Sequence, residues 1–515
     1  MEKLFGADAE RGSQSEDQSE CDTSAVPSGT EARLGFLKAN LNPTLESISY
    51  YLPICDPFYL WRPEDGSTAP MEEKEKEALY STIQGFVGKW WNVSGLYPDP
   101  CGWTPIQGVS CDLFDNGMWY VTTIIIGPIF DNSLKCSKQA EFSPYLFELR
   151  NLRSLSIIDC FSSQPVTIPF HNWNKLSSTL QTMEFRSNKG LTGEIPPALG
   201  QLVNLKSLVL VENSLRGELP WELGNLVSLK RLTLSANQLS GQVPSSIGAK
   251  LAELLIMDIS SNSLCGPLHS SLGGLTSLLK LDLSNNLLSG NLPPELCKLK
   301  NLTLLDLRKN NLTGGLDPSL AGMVSLEDLV LSKNPLGGSI KEIGWRSLKN
   351  LTHLDLSNMG LVGEIPDSIT ELKKLRFLAL DNNQLTGFVT TKLAAMPSLT
   401  ALYLNGNNFT GELGFPEEFY RRMGRRFASW RNPNLCYKIG AGNTTGKGPA
   451  GVDRCVSEGE GAVYGVDLEN NLGSEGTTQG SESIGSFGFS AYSITRFPWP
   501  TFLEVVVIHF LLSLM

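Results

Sequence analysis

The chain has 515 residues, which at roughly 150 residues per domain allows about three ordinary domains or one long array. With 42 basic against 53 acidic residues it carries a formal net charge of −11, and no Lys/Arg-rich face suited to nucleic acid stands out. Gly 49 and Pro 29 exclude collagen-like or low-complexity structure but permit turns at regular intervals, and four histidines leave little for histidine-based metal or acid–base chemistry.

Residues 1–70 are polar and irregular, and read as a disordered or atypical extension. They hold no uninterrupted apolar core of the roughly 7–15 residues that a secretory leader needs. The nearest candidate, Tyr50 to Leu60, is broken by Pro53, Asp56 and Pro57. Either the chain is intracellular or a leader belongs upstream of Ala69; we favour the second. Residues 71–135 read as an N-terminal cap. Met71 to Val87 is helix-like, with Leu79, Ile83, Phe86 and Val87 on one face. Trp90-Trp91 follows, and Cys101 and Cys111 are spaced to close a short loop.

Residues 136–411 repeat. The pattern L-x-x-L-x-L-x-x-N-x-L-x-G-x-I/L/V-P places Asn at 188, 213, 237, 262, 286, 310, 334, 383 and 407, in steps of 24 or 25 residues, with Met359 in the one gap. This is the leucine-rich repeat. In Leu205-x-x-Leu208-x-Leu210-x-x-Asn213, the alternation at 208 and 210 is a short strand with one buried face. The Asn turns the chain inward, where its amide can bond the backbone of neighbouring coils for about 1 kcal/mol net per bond. No single coil buries its apolar stripe, so the coils must stack. Met359 reads as a shifted turn, because Asn358 stands beside it; a functional break in the column is the other reading. Residues 152–160 are an earlier repeat with Cys160 in the Asn column. The expected fold is an α/β leucine-rich repeat solenoid of about eleven coils, with a parallel concave sheet and capped ends.

Residues 412–455 read as the C-terminal cap. Phe415 to Trp430 is patterned as an amphipathic helix, with Phe419, Met423, Phe427 and Trp430 opposite Arg421, Arg422, Arg425 and Arg426; a basic membrane-surface helix is the other reading. Cys136 with Cys160 and Cys436 with Cys455 are the further expected bridges, leaving Cys265 and Cys297 free and Cys21 and Cys55 without evident partners. Sequons at Asn92, Asn301, Asn311, Asn350, Asn408 and Asn443, together with paired cap cysteines, favour a secreted, oxidising setting. Residues 456–496 are Gly/Ser/Glu-rich, a disordered stalk by composition. Residues 497–515 form an apolar tail too short and interrupted for a good membrane span. A polar spacer before such a tail fits a glycolipid-anchor signal, with Ser481, Ser483 and Ser486 as small residues near the attachment point; a frayed tail and a single membrane span are the other readings.

No enzyme motif is present: no G-x-S-x-G, H-E-x-x-H, P-loop or protein-kinase set, and no cofactor or metal is expected. Binding is therefore the default role. Four residues before the Asn column lie Asp258, Asp282, Asp306 and Asp355, interrupted by Val330, a stripe suited to a basic peptide or merely the common filler of such repeats. Lys206, Lys230, Arg231, Lys280 and Arg376 precede it at the strand starts. Phe377 and Tyr403 project onto the same wall and are candidate anchors.

The L-T-G-E-I-P form at Leu191–Pro196 resembles the plant-specific subclass of the repeat. Trp90-Trp91, Tyr97-Pro98-Asp99-Pro100-Cys101-Gly102-Trp103, Gly108-Val109-Ser110-Cys111-Asp112, Asp131-Asn132-Ser133-Leu134 and Phe147-Glu148-Leu149 together resemble the Piriformospora indica-insensitive protein subgroup of plant receptor-like proteins. The resemblance spans about residues 69–455. It implies a plasma-membrane protein facing outward, without a kinase, that binds a protein or peptide ligand and a membrane receptor kinase in responses to endophytes or microbes. An extracellular inhibitor of wall-degrading enzymes and an intracellular repeat scaffold are the alternatives.

Overall fold

The computed structural model describes residues 70–91, 95–128, 134–438 and 448–455. A helix at Glu73–Val87 opens the described chain and buries Ala78, Leu79, Ile83, Phe86 and Val87. Its Glu75 is also buried and accepts the Val121 N–H at 3.1 Å; burial pushes this carboxyl up to about 7. An antiparallel hairpin, Val109–Leu113 with Trp119–Ile126, then starts a fourteen-stranded sheet. Every later strand joins in parallel, from Ser154–Ile158 through the eleventh coil at Ala401–Tyr403 to Phe427–Ala428. In the three-residue strands from Arg231–Thr233 to Ala401–Tyr403 the central Leu or Met is buried, so its two neighbours face the concave side.

The convex return paths are short 3₁₀ turns, with a six-residue α-helix at Ser245–Lys250. Gly200, Gly224, Gly248 and Gly273 let these segments touch. A Cβ on Gly248 would stand 2.5 Å from the Ser271 carbonyl carbon. Further along, the same position holds Cys297, Ala321, Thr370 and Ala394. The core is a continuous leucine column plugged by aromatic rings at its ends. Phe86, Phe142, Phe161 and Phe185 contact one another at the N-terminal end, and Phe415, Phe419, Tyr420 and Phe427 at the other. Large rings cover the open leucine faces that a terminal coil leaves without a neighbour.

The asparagines form the expected spine. Asn286 accepts the Leu264 N–H and donates to the carbonyls of Ile259, Leu283 and Ser284, all within 3.2 Å. Asn213, Asn237 and Asn262 bond their neighbouring coils in the same manner. The residue before each asparagine takes a left-handed conformation, as at Ala236 (φ 56°) and Lys333 (φ 59°).

Two expectations change. Asn358 has φ 56° and is exposed, so it fills that left-handed position, while Met359, 1% exposed, occupies the asparagine slot itself. The turn is not shifted; the ladder simply lacks one rung. The helix expected over Phe415–Trp430 spans only Glu417–Met423, because Gly424 (φ 52°) ends it. Phe427 joins the sheet beside Leu402, and Asn432 adds a further rung by accepting the Phe409 N–H and donating to the Leu404 carbonyl.

Candidate functional site

The sheet register fixes two outward columns on the concave wall. Asp258, Asp282 and Asp306 lie side by side on neighbouring strands, followed by Val330, Asp355, Ala379 and Tyr403. The companion column runs Arg231, Ile256, Lys280, Leu304, Asp328, His353, Phe377 and Ala401. The basic residues expected beside the stripe do not make one column. Arg231 and Lys280 sit on the strands, whereas Lys206, Lys230 and Arg376 lie one residue before that position, at the rim.

The acidic stripe is committed to the scaffold. The carboxylate of Asp258 accepts the backbone N–H and hydroxyl of Ser260; Asp282 accepts the N–H of Ser284, Asp306 that of Arg308, and Asp355 the N–H and hydroxyl of Ser357. Each aspartate thus closes the turn of its own coil. Burial, with Asp258 adjacent, pushes the Asp282 carboxyl above the usual range. Burial and Asp282 push Asp306 up to about 7, although the Arg308 guanidinium lies 3.1 Å away. Stacked carboxylates on neighbouring strands pay for their proximity.

At the C-terminal end of the wall the chemistry is different. His353 stacks on Phe377 with ring centroids 4.1 Å apart and planes 2° from parallel. Tyr403 meets Phe377 at 5.6 Å and 49°. Burial holds the His353 imidazole below its usual value, against the pull of Asp328 and Asp355. The small Ala379 lies between Asp355 and Tyr403, and Asp381 follows at the strand exit. Burial and the neighbouring Asp355 push Asp381 up to about 6. His353 and Asp381 were not singled out from sequence, yet His353 stands 24 residues before Phe377, in the same repeat position.

Among the other expected site residues, Cys101–Cys111, Cys136–Cys160 and Cys436–Cys455 are disulfide-bonded, and Cys265 and Cys297 are free thiols. Asn301, Asn311 and Asn408 are exposed and Asn350 half-buried. Asn301 donates to the Thr276 carbonyl and Asn350 to that of Val324, at the rim of the preceding coil. Asn92, Asn443, Cys21, Cys55, Asp131-Asn132-Ser133, the extension at 1–69 and the stalk and tail at 456–515 lie outside the described residues. Among the described residues no helix is long and apolar enough to cross a membrane, and no cluster of metal-ligating side chains occurs.

A family described as a leucine-rich repeat region matches residues 151–423. The chain is 56% identical over 376 residues to Piriformospora indica-insensitive protein 2 of Arabidopsis thaliana, spanning 73% of this chain and 88% of that protein. The chain belongs to the leucine-rich repeat receptor-like proteins. It is also 32% identical over 173 residues to receptor like protein 29 of Arabidopsis thaliana, covering 33% of this chain and 36% of that one. Among solved structures it resembles PEPR1 in the PEPR1–AtPEP1 crystal structure, with TM-score 0.57, 28% identity, and coverage of 72% of this chain and 52% of the other. It therefore spans about half the length of that structure. The plant peptide hormone receptor RGFR1, solved in complex with RGF2, matches with TM-score 0.50 and 27% identity over 66% of this chain and 61% of that one. Proteins of this receptor-like family are typically non-enzymatic binding proteins, and the fold is that of plant leucine-rich repeat ectodomains.

Proposed function

We propose that the protein is a non-enzymatic cell-surface receptor-like protein. Its concave wall binds a protein or peptide ligand, and a membrane receptor kinase carries the signal onward in responses to endophytes or microbes. The wall itself carries this reading: eleven coils hold their outward side chains in fixed register, a rigid surface suited to recognition. The kinship with Piriformospora indica-insensitive protein 2 and the likeness to receptors solved with peptide ligands support it. Membrane attachment through residues 497–515 and glycans on the sequons complete the proposal.

The test is surface biotinylation of intact plant cells expressing the full chain. It is combined with glycosidase treatment, release by a phosphatidylinositol-cleaving lipase, and cross-linking after challenge with root-endophyte extract. Surface labelling, a glycosidase shift, lipase release and capture of a receptor kinase are the expected results. A chain labelled only after lysis and carrying no glycan overturns the proposal in favour of an intracellular scaffold. A freely secreted chain that blocks a pectin-degrading enzyme overturns it in favour of an inhibitor.

A further inference from the structure

We infer that four exposed arginines of the C-terminal cap, Arg421, Arg422, Arg425 and Arg426, form a docking surface for the chain's own acidic stretch from Glu458 to Glu475. The inference stands apart from the receptor reading. Arg421 and Arg422 lie in the last turn of the helix Glu417–Met423, and Arg425 and Arg426 lie just beyond Gly424. A guanidinium N–H of Arg426 donates to the Arg422 carbonyl at 3.1 Å, so the two pairs adjoin. Among the described residues, Glu418, 4.0 Å from Arg421, is the one carboxylate within ion-pair distance of any of the four. The dipole of the helix favours cations at 421 and 422 but does not account for two more past its end. Four like charges this close repel one another, and an anion laid among them relieves the repulsion. The occupant is not a bilayer entered by the helix. Phe419 and Met423, its apolar face, are 2% and 1% exposed inside the cap, so no apolar stripe remains to insert.

The sequence supplies the matching anion on a short tether. Glu458, Glu460, Asp467, Glu469 and Glu475 follow Cys455, and no Lys or Arg occurs from Val456 to Thr495. Cys455 is bridged to Cys436 with Cα atoms 4.9 Å apart, and Cys436 comes ten residues after Arg426. Ten residues span at most about 36 Å, while the twenty from Cys455 to Glu475 span up to about 70 Å, so the stretch reaches the arginines by any path. Gly451 packs on Trp430, four residues past Arg426, which keeps the departure point at this end of the cap. A single exposed ion pair adds little. Four guanidiniums and five carboxylates act together, because a tether of this length sets an effective concentration of about a millimolar. The stretch thus shields the arginines from outside anions and is displaced as salt rises.

The test uses the full chain and a dye-labelled peptide of residues 456–480, read by fluorescence anisotropy. One variant neutralises the chain's own stretch with Glu458→Gln, Glu460→Gln, Asp467→Asn, Glu469→Gln and Glu475→Gln. It should bind the peptide about tenfold more tightly than the unaltered chain, whose own stretch competes. Adding Arg421→Gln, Arg422→Gln, Arg425→Gln and Arg426→Gln to that variant abolishes binding, as does raising NaCl from about 20 to about 500 mM. Arg421→Lys, Arg422→Lys, Arg425→Lys and Arg426→Lys keep most of it, which separates charge from structure. Circular dichroism melting shows that each variant is folded, and Arg425→Gln with Arg426→Gln alone, outside the helix, weakens binding in the same direction. Equal binding by the unaltered and neutralised chains overturns the inference, as does no binding by the neutralised chain. So does binding that survives loss of all four arginines. Polygalacturonate or phosphatidylserine vesicles bound through the arginines equally by both chains also overturn it, in favour of an outside polyanion.

Discussion

The acidic and aromatic ends of the concave wall are built from the same repeat and do different work. Around Asp258, Asp282 and Asp306 every coil obeys the consensus, the asparagine spine is unbroken, and each aspartate spends its carboxylate on its own turn. Around His353, Phe377 and Tyr403 the consensus fails in several places at once. Met359 replaces a spine asparagine, Ala379 and Ala401 replace larger wall residues, and three rings contact in series. A periodic side chain with a periodic partner is scaffold. Departures that gather on one face are where recognition has room to act. The two ends also differ on the convex side, where one repeat position holds Gly200, Gly224, Gly248 and Gly273 in close contact with the next coil and then Cys297, Ala321, Thr370 and Ala394.

The largest expected effect breaks the spine at its regular end. Asn286→Ala removes the acceptor of the Leu264 N–H and the donor to three carbonyls in one buried site. It should destabilise the solenoid by about 3 kcal/mol, because buried backbone groups lose partners that water cannot replace. Denaturant unfolding measures this, and amide exchange at Leu264 should accelerate most. Met359→Leu, at the slot where the ladder already lacks its rung, should cost under about 1.5 kcal/mol. Equal losses at both sites would mean that the spine contributes little beyond core packing.

The convex contrast is next in size. Gly248→Ala drives a methyl group to 2.5 Å from the Ser271 backbone, which cannot yield without moving a coil. A loss of about 2 kcal/mol is expected. Ala394→Ser, at the corresponding position beyond the break, should stay within about 0.5 kcal/mol. Thermal melts of the two variants test whether tight convex packing is confined to the first half.

The repeat period was readable because each coil must satisfy the same three demands: a buried leucine row, an inward asparagine and a return turn. Asn432 escaped notice because its coil reads Gly424-x-x-Phe427-x-Ser429, so all three leucines that mark the register are missing. The run of arginines beside them mimics an amphipathic helix. The 25-residue step from Asn407 was the available signal. The aspartate stripe, Phe377 and Tyr403 could be placed from periodicity alone, since register between neighbouring coils follows directly from it. What periodicity does not reveal is which partner each carboxylate already holds, or that His353 lies flat on Phe377. Those depend on rotamers within the assembled wall.

The smallest expected effect is electrostatic and tests whether stacked carboxylates burden the acidic end. Asp306 is pushed to about 7 and Asp282 upward, in both cases chiefly by burial, and Glu75 in the cap also to about 7. A carboxyl with a raised folded-state value binds its proton more tightly when folded. The native chain therefore holds more protons than the unfolded one between about pH 4 and 7, and stability falls as pH climbs through that window. The melting temperature should be higher at about pH 5.5 than at about pH 8. Asp306→Asn keeps an acceptor for the Arg308 N–H while removing the buried charge. It should raise stability at about pH 8 by about 1 kcal/mol and flatten the profile, since one pKa unit corresponds to about 1.4 kcal/mol. Asp381→Asn, at the aromatic end, where burial and Asp355 raise the folded-state value only to about 6, should flatten the profile less. If the two substitutions flatten it equally, the charge burden is shared along the whole column, and the distinction between a scaffold end and a recognition end loses its electrostatic basis.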